Sequence, residues 1–241
     1  MSPAKSRITA ATLASAALIL LGMMVASAGN GAQGQVAYSD ARIRIGFAIA
    51  PVPLNLDGKN PALVGLGSYI VNTEGCNDCH SAGPATEYVP SGNPYFGRPK
   101  QVNASKYLGG GRDFGPLGVP GNLSAHIISR NLTPAPDNET GLPGGDITYE
   151  KFFQIIRDGT DFDHLHPTCT GGVLNSGCIP PPFDGNLLQV MPWPNFKNFT
   201  DRELRAVYEY LRAVPCLQGN YPGPGGAAAN IPPEPADRCT Q

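Results

Sequence analysis

The stretch NTEGCNDCHSAG, residues 72–83, puts Cys76 and Cys79 on either side of two residues, with His80 directly behind the second cysteine. At this composition the pattern arises by chance about 0.0025 times per chain. Three functional readings compete for it. A disulfide oxidoreductase needs its CxxC at the start of a helix that follows a strand, and the segment before Cys76 is patterned as a helix. A zinc site needs four ligands, and the adjacent Cys79 and His80 are poorly placed to share one tetrahedral ion. Covalent haem attachment uses every residue of the motif. Both sulfurs add to vinyl groups, and the imidazole is carried to the iron through one nitrogen while the other N–H seeks an acceptor, for which the Pro84 carbonyl is a nearby candidate.

A second iron ligand is reached by elimination. Of the 4 methionines, Met1, Met23 and Met24 lie in the N-terminal apolar segment, which leaves Met191. It sits in LLQVMPWPNF, where Pro192 and Pro194 restrict the backbone. A core methionine filling a gap is the ordinary alternative, and His126, His164 and His166 are rival ligands. The pair His164 and His166 also suits a second metal, although loop histidines are more often solvated.

The N-terminus carries Lys5 and Arg7, then an uncharged run from Ile8 to Ala28 ending in Ala26-Ser27-Ala28. That is the layout of a secretory signal, residues 1–28, with an uncleaved membrane anchor as the alternative. Either way the rest of the chain is expected to be exported to the periplasm. Removing Lys5 and Arg7 from the 17 basic residues leaves 15 against 19 acids, a charge of −4 that does not suit nucleic acid. Six cysteines in an exported chain suggest disulfides. With Cys76 and Cys79 set aside, the other four allow three pairings. Cys169 with Cys178 and Cys216 with Cys239 is the pairing we take.

The chain of 241 residues holds 30 Gly and 25 Pro against 9 Phe, 9 Tyr and 1 Trp, so its own side chains supply a thin core. Helical patterning is confined to three segments. PALVGLGSYIVN begins at Pro61 and repeats Leu63, Leu66 and Ile70, with Gly67 allowing close approach by another helix. ITYEKFFQIIRDG presents Phe152, Phe153, Ile155 and Ile156 before Gly159. TDRELRAVYEYLRAVP opens with the capping-box pair Thr200 and Glu203 and repeats Leu204, Val207, Tyr208, Leu211 and Val214. No strand alternation is comparably strong. Residues 81–146 read as loops that a large apolar disc would supply with burial. The expectation is an all-α protein, three or more helices with long loops wrapped around one covalently bound haem.

Taken together, GSYIVNTEGCNDCH, NLTPAPDNETGL with ITYEKFFQIIRDGT, and MPWPNFKNFTDRELRAVYEYLRAVP resemble the bacterial exported class I cytochromes c, over about residues 61–217. The single-haem forms that take electrons from dehydrogenases are the most similar. The resemblance implies the class I cytochrome c fold, with Cys76 and Cys79 attaching haem c and with His80 and Met191 as axial ligands. It also implies that the first and last helices cross at Gly67 near Tyr208 and Leu211. Residues 29–60 then form a linker and 218–241 a Pro/Gly-rich tail. The loop closed by Cys169 and Cys178 and the cysteine-bearing tail depart from the family pattern.

An iron with both axial positions filled by protein has no open site for substrate. The expected function is therefore single-electron transfer by a carrier or subunit, not an enzyme. Its partners would be a dehydrogenase or quinol-oxidising complex as donor and an oxidase or other cytochrome as acceptor. A haem enzyme or gas sensor with an exchangeable sixth ligand is the alternative. Charge is uneven, +3 over residues 81–135 and −5 over residues 136–163, a dipole suited to orienting an encounter complex or simply a solvated surface. Arg112 and Arg130 are candidate partners for haem propionates, and Trp193 for packing beside the haem.

Overall fold

The computed structural model describes residues 41–117, 125–134, 147–171, 174, 177–219 and 239. The chain divides into a unit of residues 1–42 and a unit of residues 43–241. In the first, only residues 41 and 42 are described, and both are helical. The expected signal or anchor, Asp137, Glu139, Asp146 and most of the tail lie outside the described residues.

Six helices are present among the described residues: α1 (residues 41–49), α2 (Pro61–Thr73), α3 (Cys76–Cys79), α4 (Tyr149–Asp158), α5 (Trp193–Phe196) and α6 (Asp201–Leu211). The three long patterned segments are α2, α4 and α6. Asn60 caps α2, its side chain accepting from the Ala62 and Leu63 amides. Thr148 caps α4 by accepting from the Lys151 amide, and Gly159 ends it. The Thr200–Glu203 capping box of α6 is formed in both directions, so the orphan donors at these helix starts have partners. Residues 41–49 fall within the stretch expected to be linker. There, the Gly46 carbonyl accepts from Ser68 Oγ of α2 at 2.7 Å.

The helices α2 and α6 form the main packing pair. Val64, Leu66, Ile70 and Val71 of α2 and Leu204, Ala206, Tyr210 and Leu211 of α6 are buried in one cluster, completed by Tyr107, Leu108 and the α4 residues Phe152 and Ile156. The two helices meet at Gly67. A Cβ there would lie 1.9 Å from the Ala206 carbonyl oxygen and 2.7 Å from Tyr210 Cβ, a distance only a glycine permits. The crossing is at the expected glycine, and its nearest neighbours on α6 are Ala206 and Tyr210. Tyr208 turns to α4, its ring 5.5 Å from both Tyr149 and Phe152.

The all-α expectation is overturned by a two-stranded antiparallel sheet. β1 (Asp113–Pro116) pairs with β2 (His126–Ile128), Asp113 opposite Ile128 and Pro116 opposite His126, with a register irregularity between them. Backbone bonds extend the ribbon: Ser129 N to Arg112 O at 2.9 Å, Gly111 N to Ser129 O at 2.8 Å and Leu132 N to Leu108 O at 2.8 Å. Most of its side chains are half-buried, so they show no apolar–polar alternation to read. Part of the stretch expected to be loops is thus a short ribbon, β1 and β2 with their flanking residues.

Both disulfides of the expected pairing are formed, Cys169–Cys178 and Cys216–Cys239.

Candidate functional site

α2 leads directly into the cysteine motif. Its C-cap is Glu74, and Gly75, at φ 70°, turns the chain into the single turn α3. Cys76 and Cys79 are the two cysteines left unbonded, and both are half-buried. Burial, with the Glu74 carboxylate adding to it, pushes the Cys76 thiol up to about 12. Burial also raises Cys79, against the opposing pull of the Arg112 guanidinium. A disulfide oxidoreductase needs a thiol that ionises easily. These two are held neutral, and they follow a helix instead of a strand, so that reading loses its support.

The motif is tied to the ribbon by four hydrogen bonds. His80 Nδ1–H donates to the Arg130 carbonyl at 2.8 Å. The Gly110 amide donates to the His80 carbonyl at 2.9 Å. The Leu108 amide donates to Asn77 Oδ1 at 2.8 Å, and Arg112 Nη1 donates to the Asp78 carbonyl at 2.5 Å. Gly110 has φ +68°, and a Cβ on it would lie 2.5 Å from Arg130 C and Asn131 N. The ribbon therefore needs a glycine at this point to bring the Arg130 carbonyl to the imidazole. That carbonyl, not the one of Pro84, is the acceptor. Burial lowers the His80 pKa, partly offset by this bond. With Nδ1 holding the proton, Nε2 is left as the lone-pair nitrogen.

Met191 stands on a separate loop. Its amide donates to the Gln189 carbonyl at 2.8 Å, and its own carbonyl accepts from the Trp193 amide at 2.9 Å. Val190 between them has φ 69°. Two successive three-residue turns, one forcing a β-branched residue to positive φ, make this the kind of strained backbone that clusters at functional sites. The loop is moored to the end of α4: Leu188 N donates to Gly159 O at 2.7 Å, and Trp193 Nε1 donates to Leu188 O at 3.2 Å. Trp193 packs against Gly159. Met191 and Cys76 are both half-buried against the same central cluster.

The rival ligands have other surroundings. His126 Nδ1 lies 2.9 Å from an Asp113 carboxylate oxygen across the ribbon. His164 is exposed at φ 45°. His166 is buried, and its Nδ1 has no hydrogen-bond partner. Among the described residues no group of three or more His, Cys, Asp or Glu side chains is arranged to hold a metal ion. The candidate propionate partners are also engaged. The Arg130 guanidinium pairs with Asp161 at 2.8 Å and with Asp163, and Arg112 lies 4.8 Å over the Phe114 ring. The Arg130 pairs also join the basic and acidic segments, so part of the charge asymmetry is neutralised internally.

Haem c is the group this sequence pattern implies, and the residues fit it by donor chemistry. Two neutral thiols on one helical turn are available for thioether formation, and an imidazole oriented through Nδ1 offers Nε2. Asn77 Nδ2 and Ser81 Oγ, on either side of Cys79 and His80 in the chain, are buried without hydrogen-bond partners, polar atoms of the kind a bound group can border.

Sequence reasoning did not find the buried hydroxyl network beside Cys76. Tyr107 Oη bonds to Tyr210 Oη at 2.7 Å and donates to Asn72 Oδ1 at 2.8 Å. Burial and the Tyr210 hydroxyl hold the Tyr107 phenol well above the usual range. A tyrosine within a glycine-rich stretch gave no periodic signal by which to find it. Comparison with protein-family models, with curated proteins and with solved structures finds no match to the chain.

Proposed function

We propose that the protein is an exported haem c protein that transfers single electrons, of the kind the bacterial cytochromes c represent. The observation that carries the reading is the Cys76–His80 turn. Its two thiols stay unbonded in a chain that joins its other four cysteines in pairs, and its imidazole is oriented by a backbone carbonyl. A bound haem would supply an iron that changes oxidation state by one electron. Cys76 and Cys79 would hold the macrocycle, and His80 Nε2 and Met191 Sδ would be the donors to its iron.

The residues of the chain have definable tasks in that scheme. The Arg130 carbonyl, accepting the Nδ1 proton, fixes the imidazole's rotation and tautomer and makes Nε2 a better donor. The turns around Val190 and Pro192 hold the thioether on a stiff loop, which favours the same ligand in both oxidation states. Burial among these side chains would disfavour net charge on a bound haem. The two disulfides suit an oxidising compartment, consistent with export. No helix among the described residues is long and apolar enough to cross a membrane.

Spectroscopy of protein made in a host competent in cytochrome maturation tests the reading. Covalently held haem with a weak far-red sulfur-to-iron band is expected, and Met191→Ala should turn the spectrum high-spin and lower the potential. An unchanged Met191→Ala spectrum would favour an enzyme or gas sensor with an exchangeable sixth ligand. Protein purified without colour would overturn the haem reading.

A further inference from the structure

Residues 87–103 form a small hairpin whose tip has no role in the electron-transfer reading. Its arms are joined by Val89 N to Gln101 O at 3.1 Å, Asn103 N to Glu87 O at 2.8 Å and the Tyr88–Val102 bridge. Two 3-10 turns lie between the arms, Pro90–Gly92 and, at the tip, Pro94–Phe96. There Tyr95 is 80% exposed and Phe96 73%, whereas the next most exposed large apolar side chain among the described residues, Val190, is 46% exposed. Two adjacent aromatic rings this bare are unusual on a protein surface.

The tip is tied down despite its exposure. The Asn93 side chain accepts from the Tyr95 amide at 2.9 Å, Gly97 N donates to Pro94 O at 3.0 Å, and Arg98 N donates to Asn93 O at 3.3 Å. The Tyr95 ring stands edge-on to the buried Tyr88 ring, 6.2 Å away. Much of the entropy cost of presenting the rings is therefore already met by the fold. Exposed Arg98 and Lys100 follow them. From residue 88 to residue 112 the chain contains no acidic side chain, while Arg98, Lys100, Lys106 and Arg112 are all basic.

We propose that this tip docks the protein on an anionic lipid surface, with Tyr95 and Phe96 entering the headgroup layer and Arg98 and Lys100 facing lipid phosphates. Aromatic rings partition to the level of the headgroups, and nearby cations are drawn to anionic lipid. The rings stand on a convex turn, so a protein partner would need a matching hollow. A fluid bilayer needs none. At about 150–250 Å² each, two rings also fall short of the roughly 1,000 Å² of a stable protein interface. The inference does not depend on the haem reading.

Co-sedimentation of the full exported chain with vesicles tests it. The vesicles would be pure phosphatidylcholine or an equal mixture with phosphatidylglycerol. Binding is expected on the mixed vesicles only, and it should weaken in high salt. The double variant Tyr95→Ser, Phe96→Ser should bind at least about tenfold more weakly. Arg98→Glu and Lys100→Glu should each cost roughly fivefold or more. Phe96→Trp should show a blue-shifted emission component on mixed vesicles. Because the tip is exposed, circular dichroism should show all four variants folded. Equal sedimentation of wild type and the serine variant would assign the binding to another segment and overturn the proposal. So would absence of binding, or a dimer in solution that the serine variant dissolves.

Discussion

The core around α2 and α6 and the two arms of the ribbon, residues 108–117 and 125–132, both border the Cys76–His80 turn, but they hold it by different means. The helices hold it from the α2 side with buried apolar faces, each such side chain contributing about 1.5–3 kcal/mol. The ribbon holds it with hydrogen bonds, each worth roughly 0.5–1.5 kcal/mol net. Apolar packing tolerates small displacements and sets where the turn lies in the core. Directional bonds tolerate little, and they decide how the imidazole is rotated. The helical side should therefore govern global stability, and the ribbon side the local geometry of His80.

The largest test of that division is Gly67→Val. Its side chain would meet the Ala206 carbonyl, a backbone atom of α6 that cannot rotate away. Forcing the helices apart should cost about 3 kcal/mol or more, read as a lowered urea midpoint. A loss below about 1 kcal/mol would mean that the crossing does not govern stability.

Gly110→Ala probes the ribbon. Positive φ and the contact with Arg130 should cost about 1–3 kcal/mol, localised to this side. Hydrogen exchange should quicken at Ser129 and Leu132 while amides in α2 and α6 keep their protection. Equal acceleration in both places would dissolve the distinction between the two regions.

The smallest effect is expected from His166→Leu and depends on pH. Burial lowers the His166 pKa, the Asp161 carboxylate opposes this and the Arg130 guanidinium adds to it. The unfolded chain takes up the proton below about pH 6.5 while the folded chain still resists it. Stability tied to His166 is thus complete above that pH and is lost as pH falls toward the lowered folded value. Urea midpoints at neutral and mildly acidic pH should converge more closely in the variant than in wild type. An identical pH dependence would remove His166 from the account.

What the sequence makes legible follows the same line between regions. The helix α6 could be read because five apolar positions recur at helical spacing behind the Thr200–Glu203 box, and the cysteine motif because its chemistry lies in side chains. The crossing at Gly67 was readable, but the direction of Tyr208 was not. Burial alone does not say whether Tyr208 turns toward α2 or α4. The ribbon stayed hidden because glycines and half-buried side chains carry no alternation, and its pairing depends on contacts distant in sequence. The Arg130 carbonyl left no trace, since any residue supplies a carbonyl and only the fold decides which one arrives.

That last contact bears on how the imidazole's partner can be found experimentally. The atom that orients His80 belongs to the main chain, so an alanine scan would remove the Arg130 guanidinium and leave the carbonyl in place. The side chain at position 130 is free to change without changing that acceptor, provided the peptide group keeps its position. Its contribution would become visible through backbone chemistry, such as an ester substituted for the amide that follows it.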